Sequence, residues 1–231
     1  MLHSTLKNLN KYKCYLRKIS KLFLIITCTI ILFCSCKKDV SQNINIFKYN
    51  EYSNISSLDP AFSSTLRNIW PVNQIFNGLV YLDENLKIKP DIAESWNISK
   101  DKKTYTFNLR KNVFFHKSEY FGKNLTRNVN AYDFEYSFQR LLDIKIASPG
   151  NWVFNNVESF KALNDSVFEI QLLKEFDPFL GILSMKYCSV VPHEVIDEIG
   201  DDFSKKPIGT GPFKFKKWDE NVKLVLLKNE L

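Results

Sequence analysis

The sequence predicts an α+β fold, because helical and strand patterns are both present and follow no strict order. Residues 105–110 and 167–172 alternate apolar and polar side chains, as half-buried strands do. Residues 131–143 instead place apolar side chains at helical spacing. Because strands and helices are interspersed without regular strand–helix–strand units, a single doubly wound parallel sheet is not the expected architecture.

In chain order, the first candidate element is a short strand at residues 45–49. The second is a helix that Pro71 opens, since proline is favoured in the first turn of a helix. Its apolar residues recur at i, i+3, i+4 and i+7, and they are Val72, Ile75, Phe76 and Leu79. The strand at 105–110 follows and directs alternate side chains to one face, namely Tyr105, Phe107 and Leu109.

The ends of the later helices are marked by capping residues. Asn130 is placed to cap the helix at 131–143, with Asp133 at the third helical position, close to a capping box. A strand at 167–172 follows, and then a helix at 193–199 that Gly200 ends. The last candidate is a strand at 222–227, whose apolar residues Val222, Leu224 and Leu226 share one face.

Charge is concentrated at the N-terminus. The chain has 231 residues, 45% of them hydrophobic and 25% charged, with a formal net charge of +7. Residues 1–36 contain six Lys or Arg residues and no acid, which leaves 26 basic against 25 acidic residues beyond them. A surface that neutralises phosphates needs clustered excess Lys and Arg. The nearly neutral body therefore argues against nucleic acid as a partner.

Residues 1–36 read as a lipoprotein signal peptide. The basic start is followed by a 12-residue apolar run at 22–33, shorter than the roughly 20 residues of a transmembrane helix. The segment then resembles a bacterial lipobox, which makes Cys36 the predicted lipid attachment residue. Residues 37–43 are a polar tether. The sequence thus predicts an exported protein anchored to a membrane, in the periplasm or on the cell surface, with an uncleaved N-terminal anchor as the alternative.

The body lacks the motifs of common enzymes. It has no phosphate-binding loop, no His-Glu-x-x-His motif and no nucleophile elbow. His116 and His193 are far apart and are expected to have structural or surface roles. Cys188 lies in an apolar run and is expected to be a buried structural thiol. The sequence therefore predicts no catalytic residue, no metal site and no cofactor.

Several short sequence motifs occur in the order found in family 5 extracytoplasmic solute-binding proteins of ABC transporters. The body of the chain resembles this family over about residues 44–231. The motifs are SLDPA (57–61), GLVY (78–81), KPDIAESW (89–96), YTFNLR (105–110) with FH (115–116), NAYDFEYSF (130–138), RLLD (140–143) and PIGTGPF (207–213) with Trp218.

The resemblance implies the first lobe of a type II, cluster C-like periplasmic binding protein. Residues 44–81 and 191–231 are expected to form an incomplete lobe I with a shared sheet, and residues 82–190 an inserted subdomain. Gly209 and Gly211 mark the return to the lobe, where flexible glycines suit a crossing. Family members continue into a second lobe, so the chain is expected to be truncated before it.

The resemblance also implies a non-catalytic, monomeric binding component of an ABC importer. It would capture peptides, nickel or another small solute and deliver them to the permease subunits. Phe62, Ser63, Ser64 and Thr65 are the candidate ligand contacts, because hydroxyls there could bond the main chain of an extended peptide. The hydroxyls could instead cap the following helix. The alternatives in function are a surface structural or adhesive lipoprotein, and a truncated fragment that binds no solute.

Overall fold

The computed structural model describes residues 45–230, so Cys36, the signal peptide 1–36 and the tether 37–43 lie outside the described residues. The chain divides into two compact units, residues 1–50 and residues 51–231. In the first unit, the described residues 45–50 form neither helix nor strand, and the predicted strand at 45–49 is therefore wrong. Short apolar alternation does not suffice, because a strand also needs a hydrogen-bonded neighbour.

The second unit combines short helices with antiparallel strands. As far as residue 230, its α-helices are α1 (Leu66–Ile75), α2 (Ala131–Leu142), α3 (Phe179–Leu183) and α4 (His193–Ile199). Over the same residues its strands are β1 (Val80–Leu82), β2 (Ile88–Pro90), β3 (Ala93–Ile98), β4 (Thr104–Leu109), β5 (Val157–Asn164), β6 (Val167–Leu172), β7 (Phe213–Asp219) and β8 (Lys223–Lys228). Short 3₁₀ turns cover Pro60–Phe62, Glu119–Asn124, Asn151–Phe154, Lys186–Cys188 and Gly200–Ser204.

The four-stranded antiparallel sheet has the strand order β3-β4-β6-β5. Its two central strands, β4 and β6, correspond to the predicted strands at 105–110 and 167–172, with Phe107 opposite Phe168. Alternate residues on these strands are buried, and they are Tyr105, Phe107, Leu109, Phe168, Ile170 and Leu172. The intervening residues are half-buried. The alternation in the sequence therefore corresponds to a sheet with one fully covered face.

Helix α2 packs against the covered face. The Asn130 side chain accepts a hydrogen bond from the Asp133 amide at 3.2 Å, and the Asp133 carboxylate accepts one from the Asn130 amide at 2.9 Å. The predicted capping box is therefore confirmed. The rings of Phe134 and Phe138 lie 5.9 and 5.5 Å from that of Phe168. These contacts join the helix to the main hydrophobic core.

Helix α1 begins five residues before Pro71. Its N-cap is Thr65, and Pro71 lies inside the helix. The prediction that Pro71 opens the helix is wrong. Proline inside a helix removes one hydrogen bond and costs about 3 kcal/mol. The helix persists because its later turns bury Val72 and Ile75, and burying each such side chain contributes about 1.5–3 kcal/mol.

A second hydrophobic cluster joins the early and late parts of this unit. It consists of Leu58, Val72, Ile75, Phe76, Val191, Val195 and Phe203. Backbone hydrogen bonds connect the same parts. The Leu58 amide donates to the Ser204 carbonyl, and the Gly211 amide donates to the Ile75 carbonyl, both at 2.8 Å.

The early and late parts do not share a sheet. Between residues 45 and 230, β1 pairs only with β2, and β7 pairs only with β8. The prediction that residues 44–81 and 191–231 form one sheet is therefore wrong, because a common apolar cluster brings them together instead of strand pairing. The boundaries of the inserted subdomain, 82–190, stay a prediction.

The C-terminal elements otherwise follow the sequence patterns. Helix α4 has the predicted bounds, and Gly200 follows it with a φ of 54°, a region that favours glycine. Strand β8 corresponds to the predicted strand at 222–227, and Leu224 and Leu226 pack against the second cluster. Val222 lies before the strand and is exposed.

The turn at residues 209–211 is tightly packed. A Cβ atom on Gly209 would lie 2.1 Å from the Ile75 carbonyl oxygen. The Gly209 amide donates to Nδ1 of buried His116 at 3.3 Å, and Nε2 of that ring lies 2.9 Å from the Gly211 carbonyl oxygen. One neutral tautomer, protonated on Nε2, satisfies both contacts. These glycines are therefore required for close approach of the backbone, not for the flexibility that the sequence suggests.

Candidate functional site

The predicted contact residues 62–65 link the 3₁₀ turn Pro60–Phe62 to helix α1. Phe62 is half-buried and packs against the main core. Ser64 is exposed, whereas the Ser63 side chain is only 2% exposed. The Thr65 residue is half-buried. The segment therefore presents one exposed hydroxyl, with two others beneath or beside it.

A buried ion pair holds this segment in place. The Asp59 carboxylate accepts hydrogen bonds from both terminal nitrogens of Arg140, at 2.9 and 2.5 Å. The same carboxylate accepts from the Ala61 amide at 2.9 Å and so caps the 3₁₀ turn. Two charged hydrogen bonds to one carboxylate restrict its orientation. The α2 helix, which carries Arg140, thus positions the start of the candidate segment.

Two hydroxyl groups in the segment have no hydrogen-bond partner among the described residues. They are Ser63 Oγ and Thr65 Oγ1, and both atoms are buried. Thr65 is the N-cap of α1, but its side chain makes no capping hydrogen bond. The alternative reading, in which these hydroxyls serve as helix caps, is therefore wrong for Thr65. Unpaired buried polar atoms are rare in proteins, and a ligand is one of their explanations.

The structure brings two further segments to residues 61–66. Ser148 Oγ donates to the Ala61 carbonyl at 2.6 Å, and the turn Lys186–Cys188 contacts the turn Pro60–Phe62. The Tyr187 ring packs on Gly150, where a Cβ atom would lie 2.4 Å from it. We name residues 61–66, 148–152 and 185–189 together the three-segment surface.

The three-segment surface is apolar and rich in hydroxyls. Its exposed apolar side chains are Leu66 (68% exposed), Trp152 (43%) and Met185 (37%). Ser189, at 2% exposure, adds a third buried hydroxyl without a partner among residues 45–230. Sequence reasoning missed Trp152, Met185 and Ser189, because no local motif marks them. The segments that carry them meet residues 60–62 through contacts between positions more than 80 residues apart, such as that of Ser148 with Ala61.

Lys186 is the only charged residue within the three-segment surface. Burial lowers the pKa of its ammonium group, and the charge of Asp91 acts in the opposite direction. Burial likewise raises the pKa of Asp91, although Asn77 and the Gly78 amide donate hydrogen bonds to its carboxylate. The surface is thus suited to uncharged groups more than to strongly charged ones.

The other candidate reactive residues have structural roles. Cys188 is buried, and burial raises the pKa of its thiol to about 12, so the predicted structural thiol is confirmed. His116 is buried against the turn at 209–211, as described above. His193 is on the surface, with Nδ1 3.3 Å from the Glu194 carboxylate. Both histidine predictions are confirmed.

No group of three or more His, Cys, Asp and Glu residues within 45–230 is arranged to hold a metal ion. No helix in the same range is both long and apolar enough to pass through a bilayer.

Residues 87–231 match the family model of bacterial extracellular solute-binding proteins, family 5 (middle region). Among curated relatives, the chain is 32% identical over 167 residues to di/tripeptide-binding protein 1 of Pseudomonas aeruginosa. That match covers 65% of this chain and 31% of the relative. The chain thus spans about a third of the length of this curated relative.

Solved structures agree on the fold. The periplasmic binding protein DppA from Helicobacter pylori, in complex with the peptide STSA, matches with a TM-score of 0.69 and 34% identity. The match covers 76% of this chain and 37% of DppA. NikZ from Campylobacter jejuni, in complex with Ni(L-His), matches with a TM-score of 0.66 and 32% identity, over 78% of this chain and 34% of NikZ. The predicted fold, part of a periplasmic binding protein, is therefore confirmed.

Proposed function

Because the chain belongs to the family 5 bacterial extracellular solute-binding proteins, we propose that it is the solute-binding component of an ABC importer. The family consists of extracytoplasmic binding proteins and not of enzymes. In this proposal the protein captures peptides outside the inner membrane and delivers them to the permease subunits as a monomer. The observation that carries the proposal is the pair of buried, unpaired hydroxyls, Ser63 and Thr65, in a family whose relatives include di/tripeptide-binding proteins.

The three-segment surface suits the main chain of a short peptide. Hydroxyls both donate and accept hydrogen bonds, so Ser63 and Thr65 can serve either a peptide amide or a carbonyl. Extended peptides are commonly held through their main chain, with pockets for alternate side chains. Leu66, Trp152 and Met185 would then contact a side chain of the ligand. Since these three residues are apolar, we propose that peptides with uncharged, apolar side chains are preferred.

The membrane attachment belongs to the proposal as well. The apolar run at 22–33 ends close to Cys36. We propose that Cys36 carries lipid and that residues 37–43 tether the folded body to a membrane. Acyl chains contribute about 0.8 kcal/mol per buried CH₂ group, so lipidation anchors a protein without a spanning helix.

Peptide titration of the 231-residue chain by calorimetry, up to millimolar concentration, tests which solute binds. The peptides Ala-Leu-Ala, Ala-Lys-Ala and Ala-Glu-Ala differ only at the central residue, and the first should bind most tightly. Losing one hydrogen bond costs about 0.5–1.5 kcal/mol. Ser63→Ala and Thr65→Val should therefore each weaken binding by roughly 2- to 10-fold.

Ser159→Ala is the matched control, because Ser159 is exposed on β5, outside the three-segment surface. Its affinity should equal that of the unmodified chain. If no peptide binds the unmodified chain, the proposed solute class is wrong. If peptides bind and the Ser63 and Thr65 variants bind equally well, the function stands and the three-segment surface is not the site.

A further inference from the structure

We propose that a pocket outside the three-segment surface binds a phosphate group. The pocket has a volume of about 260 Å³. Its lining includes Lys117, Lys206, Lys214 and Glu119, together with Tyr120 and Phe215. None of the lining residues belongs to the three-segment surface, so this inference goes beyond the proposed function.

The positive charge of the pocket is only partly neutralised. Lys206 pairs with Asp202 at 3.2 Å. Between residues 45 and 230, no carboxylate lies within ion-pair distance of Lys117 or Lys214. Lys214 is moreover half-buried on strand β7. A half-buried ammonium group without a partner is unfavourable, and an anion would compensate for it.

Two further lining residues are His116 and Tyr120, and neither adds a carboxylate. His116 lines the pocket in its neutral form, because its Nδ1 accepts the Gly209 amide and cannot take a proton without losing that contact. Burial lowers the pKa of this ring, the hydrogen bond to the Gly211 carbonyl acts in the opposite direction, and the charge of Lys214 lowers the pKa further. Tyr120 contributes a phenol, which can donate a further hydrogen bond.

Size and charge together indicate the ligand class. Pockets for drug-sized molecules have volumes of about 300–1,000 Å³, so this pocket is small for a peptide. A phosphate group carries close to two negative charges, which match the two unpaired lysines, and lysine is a common phosphate ligand. The carboxylate of Glu119 repels an anion, so Glu119 is expected to weaken phosphate binding. The same chemistry is supplied by free phosphate and by the phosphomonoester headgroup of phosphatidic acid.

Calorimetry on the 231-residue chain at low salt tests the pocket, with inorganic phosphate and glycerol 3-phosphate titrated separately. The double variant Lys117→Gln/Lys214→Gln should weaken binding at least tenfold. Glu119→Gln should strengthen binding several-fold. The matched control is Lys87→Gln/Lys100→Gln, which removes the same charge from exposed positions outside the pocket and should change affinity less than twofold. Circular dichroism would verify that each variant is folded.

The two ligands distinguish the source of the phosphate. Tighter binding of glycerol 3-phosphate supports a lipid headgroup, and equal or tighter binding of inorganic phosphate supports the free ion. Absence of binding by the unmodified chain would overturn the inference. Equal losses in the pocket and control double variants would overturn it too, since the effect would then come from net charge alone. Peptide binding is measured separately, so either proposal can fail without the other.

Discussion

Replacing Asp59 by alanine is expected to destabilise the fold and to weaken peptide binding at the three-segment surface. The Asp59 carboxylate accepts hydrogen bonds from both terminal nitrogens of Arg140. It also caps the turn that leads into residues 62–65. The Asp59 side chain is 3% exposed and that of Arg140 is 10% exposed. Water therefore cannot replace the hydrogen bonds that the substitution removes. The variant leaves a buried guanidinium group without its carboxylate.

The magnitude follows from the burial of the pair. Removing one partner of a buried ion pair costs about 3–5 kcal/mol. Loss of the cap on the Ala61 amide adds about 0.5–2 kcal/mol. Arg140→Met, which removes the other partner, should also cost about 3–5 kcal/mol. The double variant Asp59→Ala/Arg140→Met leaves no unpaired charge, so its cost should fall short of the sum by at least about 2 kcal/mol.

Urea unfolding followed by circular dichroism measures these free energies. The control is Lys102→Ala/Asp177→Ala, an exposed ion pair whose loss should leave the unfolding midpoint unchanged. Strict additivity of the Asp59 and Arg140 costs would refute the reasoning, because it would mean that the two charges do not stabilise each other. Peptide affinity that survives in folded Asp59→Ala would show that the ion pair does not position the candidate segment.

Three further predictions concern the turn, its histidine and the leader. Gly209→Ala should destabilise the fold by about 1–3 kcal/mol or more, since the added Cβ atom meets the Ile75 carbonyl. The control Gly181→Ala, whose Cβ meets nothing within 4 Å, should not destabilise it in the same urea assay. Because burial lowers the pKa of His116 below its usual value near 6.5, the folded state binds fewer protons than the unfolded state. Stability should therefore be full above about pH 6.5 and decrease below it, and a urea midpoint that shows the same pH dependence in His116→Gln would contradict this role. Labelled palmitate should be incorporated into the protein in cells and not into Cys36→Ala, and persistent labelling of that variant would reject Cys36 as the lipid site.

Part of the candidate site was accessible from the sequence. The sequence motif at 57–61 and the hydroxyl residues that follow it pointed to residues 62–65. In the structure, two of these hydroxyls have no hydrogen-bond partner among the described residues. The rest of the surface was not accessible, because Ser148 and the turn Lys186–Cys188 contact residues 60–62 from distant parts of the chain. The sequence around each of them is that of an ordinary turn or core residue, so no local pattern indicates a functional site.

The sequence by itself determined the elements whose cause is local. The alternation at 105–110 and 167–172, the Asn130 capping box and the stop at Gly200 all depend on residues a few positions apart, and all are present. Tertiary structure decided the rest. Burial of Val72 and Ile75 keeps Pro71 inside helix α1, close packing on the Ile75 carbonyl requires Gly209, and an apolar cluster joins the early and late segments without a shared sheet. These outcomes depend on free energies of contact between residues as far apart in the sequence as Leu58 and Ser204, which no local pattern encodes.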